Sequence, residues 1–129
     1  MFEQDTINHH IQRRILSVLC YRKMARFRDL RPPRVDTNLF SYHLKVLIRH
    51  QLVQKVPGGY SLAPRGLAYV DRVSTDTMLV RAQPKVVTML VVQNSNGDVL
   101  LQQRTKQPYI DTWTLPYGKL HIDDRSIQA

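Results

Sequence analysis

The chain has 129 residues, 43% of them hydrophobic, and a formal net charge of +9. No apolar run approaches the roughly 18 residues that a membrane-spanning helix needs, and the single cysteine excludes an internal disulfide and a multi-cysteine zinc site. The five histidines lack the cysteine or acidic spacing of a metal set. The N-terminus carries Glu3 and Asp5 and no apolar signal-peptide core, so we expect a cytoplasmic protein of one or two small domains.

The positive charge is concentrated in the first part of the chain. Residues 1–75 contain 13 lysines or arginines and 5 acidic residues, whereas residues 76–129 contain 6 and 5. A small basic domain attracts polyanions by releasing their condensed counterions, and nucleic acid is the commonest such partner. A surplus of this kind also serves solubility, so the charge by itself leaves both interpretations open.

Apolar residues recur at helical spacing near the start of the chain and predict a helix from Asp5 to Tyr21. They are Ile7, Ile11, Ile15, Val18 and Leu19. We expect His9 and His10 to be solvated side chains. We expect Cys20 to be a small packing residue rather than a nucleophile.

Two further helices follow. Residues 26–30 predict a short helix that ends at the next pair of prolines, because a proline disfavours the helical conformation in the residue before it. Asp36 or Thr37 can cap a third helix that continues to about His50. Its apolar face is formed by Phe40, His43, Leu44, Leu47 and Ile48. This face is predicted to lie in the core, with His43 as a satisfied core residue rather than a ligand.

The opposite face of the third helix is polar. It carries Asn38, Ser41, Tyr42, Lys45 and Arg49. Amide, hydroxyl, aromatic and cationic groups of this kind can meet base edges and phosphates in a DNA major groove. A merely solvated face is the alternative.

A hairpin and a fourth helix complete the first part. Residues 52–56 and 60–62 predict two short strands joined across Pro-Gly-Gly. A helix is expected from Pro64 to about Ser74, because proline suits the first helical turn. Its packing residues are expected to be Leu67, Ala68 and Val70. Three helices followed by a hairpin is the winged-helix order.

Residues 38–66 strengthen this interpretation with the runs Asn-Leu-Phe-Ser-Tyr-His-Leu-Lys-Val-Leu, Gln-Leu-Val-Gln-Lys-Val and Gly-Gly-Tyr-Ser-Leu-Ala-Pro-Arg-Gly. Over about residues 6–75 the chain resembles the bacterial and archaeal winged helix-turn-helix families. The resemblance implies that DNA is read by Asn38, Ser41, Tyr42 and Lys45, with Arg49 and Lys55 nearer the phosphates. Some winged helices contact only protein, and that alternative stays open.

The second part begins with a predicted hairpin. Residues 76–84 are interpreted as a linker with the domain boundary near Gln83, although residues 78–80 could form an edge strand. From Val86 to Val92 a nearly continuous apolar run has the length and β-branched content of a buried strand. Residues 94–97, Asn-Ser-Asn-Gly, then predict a turn into a second strand over residues 99–103.

Residues 85–129 are similar to the N-terminal part of the Nudix hydrolase family. That family has a long strand, a turn ending in Gly-x-Val-Leu-Leu, an arginine and a Trp-x-x-Pro-x-Gly run. The residues that fall in this order are Leu100, Leu101, Arg104, Pro108, Trp113, Leu115, Pro116, Gly118 and Ser126. Tyr117 departs from the pattern, because family members often have glycine there. The acidic pairs that hold the metal ions in this family would lie beyond Ala129.

The Nudix resemblance implies specific roles. The Gly118 carbonyl would be a metal ligand, and Arg104 or Lys119 would lie near substrate phosphates. Mg²⁺ or Mn²⁺ is implied for a complete domain and no cofactor for these residues alone, so we expect the chain by itself to be inactive. Simpler roles are open: Gly118 can serve backbone shape, Arg104 can pair with a carboxylate, and Asp124, six residues after Gly118, can cap a helix.

The sequence therefore predicts an α+β protein with a winged helix over residues 1–75, a linker over 76–84 and an incomplete Nudix α/β/α sandwich over 85–129. One function is a hydrolase of a nucleoside diphosphate derivative with an appended DNA-binding module. The other is a transcription regulator whose Nudix domain senses a nucleotide-like ligand without cleaving it. A homodimer stays open. Because an isolated hairpin is marginal in water, we expect residues 84–129 to be less stable than residues 1–75 and prone to association.

Overall fold

The computed structural model describes residues 7–74, 77–80 and 86–119. These residues form an α+β structure with four helices and three two-stranded antiparallel sheets. The first part contains α1 (His10–Cys20), α2 (Phe27–Leu30), α3 (Thr37–Arg49), β1 (Val53–Val56), β2 (Gly59–Leu62) and α4 (Pro64–Arg72). The second part contains β3 (Val87–Met89), β4 (Gln102–Gln103), β5 (Trp113–Thr114) and β6 (Tyr117–Lys119).

Helix α1 begins later than its apolar pattern predicts. His9 has an extended backbone, and its side chain accepts a hydrogen bond from the Ile11 amide, so the helix starts at His10. Ile7 is buried although it precedes the helix. The buried residues of the helix are Ile11, Ile15, Leu16, Leu19 and Cys20. Burial of Cys20 raises the pKa of its thiol, which fits the packing role expected for it.

Helices α2 and α3 lie where the sequence predicts them. The first ends at Leu30, before the paired prolines, and the second is capped by Asp36. The buried face of α3 consists of Phe40, His43, Leu44 and Leu47. The assignment of Ile48 to this face was wrong, because it is 36% exposed at the edge of the apolar stripe.

Strands β1 and β2 form the expected hairpin. Val53 pairs with Leu62 and Val56 with Gly59. Gly58 has a φ of 86°, the left-handed region that glycine adopts without strain and that this tight turn requires. The hairpin is extended by a bridge in which Ala25 and Tyr60 exchange two backbone hydrogen bonds of 2.9 Å.

Helix α4 ends at Arg72, two residues before the predicted end. Its buried residues are Gly66, Tyr69 and Val70, so the expected packing by Ala68 was wrong: this side chain is exposed. Met78, within the segment interpreted as a linker, is 3% exposed, and its carbonyl accepts from the Tyr69 hydroxyl at 3.1 Å. Residues 78–80 form one bridge, from Val80 to Val73, rather than a strand.

One hydrophobic core joins the elements of the first part. It runs from Ile7 to Met78 and includes side chains from α1, α2, α3, α4 and both strands of the hairpin. Phe27 packs on the core with its ring edge against Phe40, 4.9 Å between ring centroids. The largest fully buried side chains are Phe40, Ile11, Ile15, Leu16, Leu19, Leu30 and Leu47. The position of α3 is therefore fixed by packing along its whole length.

The prediction of a buried strand from Val86 to Val92 was wrong. Strand β3 covers only residues 87–89, and the six Val, Met and Leu side chains of the run expose between 47% and 67% of their surface. The strand pairs with β6 through the partners Thr88 and Gly118, and no described element packs on its faces. Composition identifies an apolar extended segment, but burial also needs a second layer.

The predicted turn at residues 94–97 is present. Asn94 closes it through its side-chain oxygen, which accepts from the amides of Asn96 and Asp98 at 2.9 Å. The hairpin continues only to the Leu100–Val92 hydrogen bond. Beyond it, the chain pairs β4 with β5 instead.

The second part contacts the first at two helix ends. The Gln107 amide donates to the Cys20 carbonyl at 2.7 Å, and Lys23 lies 3.0 Å from the Asp111 carboxylate. Lys119 bonds both the carboxylate and the carbonyl of Asp71, near the end of α4. Both sets of contacts connect residues that are far apart in sequence.

No helix among the residues described is long and apolar enough to cross a membrane. The predicted boundary at Gln83, the candidate capping residue Asp124 and Ser126 of the Nudix pattern lie outside the described residues.

Candidate nucleic-acid interface

The orientation of α3 is set by its cap and its buried face. One carboxylate oxygen of Asp36 accepts from the amides of Asn38 at 2.8 Å and Leu39 at 3.1 Å, which satisfies two free donors of the first turn. Phe40 and Leu47 are 0% and 1% exposed. With one face fixed in the core, the opposite face must point away from it.

The outward face carries the side chains predicted to contact DNA. Asn38, Tyr42, Lys45 and Arg49 follow one another at intervals of four, three and four residues, which places them on one stripe of the helix. All four are exposed, Tyr42 by 61%. Within the described chain, no side-chain hydrogen bond or ion pair engages Asn38, Lys45 or Arg49. Ser41 lies beside the stripe and is half-buried.

The size of the stripe suits a duplex groove. Thirteen helical residues extend about 20 Å, because an α-helix rises about 1.5 Å per residue. A helix of this kind has a diameter of about 10–12 Å with its side chains, close to the roughly 12 Å width of a B-DNA major groove. The exposed side chains of Lys45 and Arg49 are long enough to reach phosphates beside such a groove, which leaves Asn38 and Tyr42 as the predicted base contacts.

The β1–β2 hairpin provides the remaining predicted contact. Lys55 is exposed on β1 and lies opposite Tyr60 in the register. Since Tyr60 is also bridged to Ala25, the hairpin is tied to the segment that enters α2. Lys55 therefore projects from a supported strand rather than from a free loop.

The prediction from sequence missed a group of arginines around α2. Four exposed arginines stand within nine residues that contain a single acidic residue: Arg26, Arg28, Arg31 and Arg34. Arg28 is 77% exposed at its side chain, and Arg31 donates to the Val35 carbonyl at 2.9 Å. The sequence signal for this group is the density of arginines over residues 26–34.

The residues predicted from the Nudix resemblance are all engaged within the chain. Arg104 donates from Nε to the Pro108 carbonyl at 2.9 Å and lies 5.5 Å from the centre of the Tyr117 ring. Lys119 binds Asp71 at 2.8 Å. Gly118 pairs with Thr88, whose hydroxyl donates to the Gly118 carbonyl at 3.4 Å. Arg104 lies beside Tyr117, the residue before Gly118. Lys119 instead points towards Asp71, near the end of α4.

The described residues do not fit a divalent metal at this position. Mg²⁺ requires near-octahedral oxygen coordination, and Gly118 offers one carbonyl that already accepts a hydrogen bond. No group of three histidine, cysteine, aspartate or glutamate side chains that could hold a metal ion occurs in residues 7–74, 77–80 and 86–119.

Comparison of the chain with protein-family models, curated proteins and solved structures returns no match. The two family resemblances therefore stay predictions. The candidate interface depends on the geometry of α3, the hairpin and the arginines around α2.

Proposed function

We propose that the first part of the chain is a winged-helix module that binds double-stranded DNA, with α3 in the major groove and the β1–β2 hairpin as the wing. The observation that carries this proposal is the stripe of Asn38, Tyr42, Lys45 and Arg49. It is exposed, uninterrupted by acidic residues and held on a helix whose other face is buried.

The charge around the stripe supports a duplex partner. Lys55 on the hairpin and the arginines around α2 add cations on elements next to α3, where they can meet the phosphates on either side of a groove. A protein-contact module would not need so many cations around one helix. The winged-helix order of helices and hairpin adds to this support.

The test is a salt series of binding to random-sequence duplex DNA with the full chain. Each cation that contacts a phosphate contributes about 0.9 to the slope of log affinity against log salt, so replacing both Lys45→Ala and Arg49→Ala should make that slope shallower by about 2. Fluorescence anisotropy between roughly 50 and 200 mM salt covers the range in which such contacts matter.

Arg14→Ala is the matched control, because Arg14 is exposed on α1 and carries the same charge away from the stripe. It should keep the parental slope. Equal slopes for all three proteins, or no binding at 50 mM salt, would contradict DNA binding and favour the protein-contact alternative.

For the second part, we propose that it belongs to a Nudix domain, in a protein that acts on, or senses, a nucleoside diphosphate derivative. The order of Arg104, Trp113 and Gly118 supports the family, and the antiparallel pairing of β3 with β6 agrees with a sheet at this point. One contact favours sensing: the ion pair of Lys119 with Asp71 joins the second part to α4. A phosphate that competed with Asp71 for Lys119 would weaken this contact between the two parts.

Binding of ADP to the full chain, followed by calorimetry, tests this second function. Arg104→Ala should weaken binding by about tenfold, the loss expected for a hydrogen bond to a charged group. Lys106→Ala removes the same charge two residues away and should change the affinity little. Binding without product in the presence of Mg²⁺ would favour sensing, product would favour the hydrolase, and no effect of Arg104→Ala would contradict its phosphate role.

A further inference from the structure

Three histidines from two helices form a stack that neither function uses. The rings of His9 and His43 lie 3.7 Å apart between centroids at an interplanar angle of 24°, and those of His9 and His10 lie 4.6 Å apart. His9 is half-buried at the cap of α1, which corrects its assignment as a solvated side chain, whereas His10 is exposed. His43 is only 6% exposed on α3. The stack therefore joins the first turn of α1 to the middle of α3.

Two of the stacked rings make hydrogen bonds through their Nδ1 atoms. Nδ1 of His9 accepts from the backbone amide of Ile11 at 3.2 Å, and a backbone N–H can only donate. Nδ1 of His43 lies 3.1 Å from Nε2 of Gln12, an amide donor. An imidazolium has a proton on both nitrogens and can accept neither bond. The His9 bond therefore needs an unprotonated Nδ1, whereas the His43 contact would also form with a protonated ring if the Gln12 amide turned its oxygen towards Nδ1.

Among the described residues, no carboxylate faces the stack to compensate a proton. The described groups that face His43 are His9 and His10 from the start of α1, Gln12 from its first turn and the Tyr42 ring, 5.2 Å away on α3. None of these is a carboxylate. No group of described side chains here could hold a metal ion.

We propose that the stack of His9, His10 and His43 is an acid-sensitive clasp, which holds the start of α1 against α3 while His43 is neutral and opens when His43 takes up a proton. A proton on His43 would place a charge in a buried position, in contact with the His9 ring and with no described carboxylate beside it. This inference goes beyond the proposed function, because it holds whether or not α3 contacts DNA.

The direction of the pH dependence follows from His43. Burial lowers its pKa, with further lowering by the nearby His9 and His10. The unfolded chain then binds more protons than the folded chain as the pH falls below the unfolded value of about 6.5. Stability is fully present above this pH and is lost as the pH falls from there towards the lowered folded pKa.

The experiment compares urea unfolding at pH 7.5 and pH 5.5 for the full chain and two variants. His43→Gln keeps a side chain that can accept from Gln12 but removes the titrating ring. His50→Gln is the matched control, because His50 is an exposed histidine at the other end of α3. If the His43 ring stays neutral in the folded chain, the folding equilibrium constant is up to about tenfold lower at pH 5.5 than at pH 7.5.

The parent and His50→Gln should show this loss, and His43→Gln should lose measurably less. In an acid titration followed by nuclear magnetic resonance, the chemical shifts of the His9 and His10 ring signals should change together with those of His43, because the stacked rings separate. If His43→Gln does not fold, His9→Asn decides, because asparagine preserves the helix cap and removes the central ring. An acid loss in both His43→Gln and His9→Asn equal to that of His50→Gln would overturn the proposal.

Discussion

Gly66 shows how a single residue is determined by packing rather than by local preference. It lies within α4, where alanine would ordinarily be preferred over glycine by about 1 kcal/mol. A Cβ built on Gly66, however, would lie 1.9 Å from the Leu52 carbonyl oxygen, far inside van der Waals contact. The contact with the backbone therefore outweighs helix propensity.

We expect Gly66→Ala to destabilise the protein by about 1–3 kcal/mol, the usual cost of forcing extra volume into a packed site. Urea unfolding gives the change directly. Gly118→Ala is the matched control, because its Cβ would meet only the Thr88 hydroxyl, at 3.4 Å. A stabilised Gly66→Ala variant would show that α4 does not pack on Leu52 in this way.

The residue scale also separates two kinds of histidine. The sequence placed His43 on an apolar face and predicted a core residue, which its burial confirms. It could not show that His9 lies against His43, because the two are 34 positions apart and meet only when α1 packs on α3. Contacts of this kind depend on tertiary structure.

At the scale of elements, the helices were predicted more accurately than the strands of the second part. Helix α3 has a capping residue and an apolar stripe of period 3.6, two local signals that agree. Strand β3 has only an apolar run, a pattern that says nothing about which strand pairs with it. Its partner β6 lies about 30 residues further along the chain. The predicted hairpin between residues 86–92 and 99–103 is therefore shorter than expected.

Elements also decide which charges can act together. Lys45 and Arg49 share a stripe because α3 is helical, and Lys55 joins them because the hairpin follows α3 directly. The six DNA-contact residues were predicted from a pattern, and the structure leaves five of them exposed and Ser41 half-buried. Whether they contact DNA stays a prediction that the salt series tests.

On the scale of the whole molecule, burial is distributed unequally. Among the described residues, those of the core lie between Ile7 and Met78, whereas the apolar side chains of residues 86–101 are exposed by 44% or more. The contacts between the parts include ion pairs of Lys23 with Asp111 and Lys119 with Asp71, and exposed pairs of this kind are each worth about 0–1 kcal/mol. They cannot offset the missing burial.

We therefore expect native-state hydrogen exchange to be at least about a hundredfold slower for the central amides of α1 and α3 than for those of β3 to β6, because local opening costs least where few apolar contacts are lost. Mass spectrometry of peptic peptides at neutral pH measures the difference. Equal protection in both parts would contradict the unequal distribution of stability and show that the apolar face of β3 is covered in solution.

The sequence by itself determined the four helices, the β1–β2 hairpin, the turn at residues 94–97 and the polar face of α3, because each depends on periodicity, capping or turn residues within a few positions. Only the tertiary structure decided that β3 is exposed, that Lys119 meets Asp71 and that His9 stacks on His43. These features depend on which elements lie against one another, and no local pattern encodes a neighbour that is dozens of residues away.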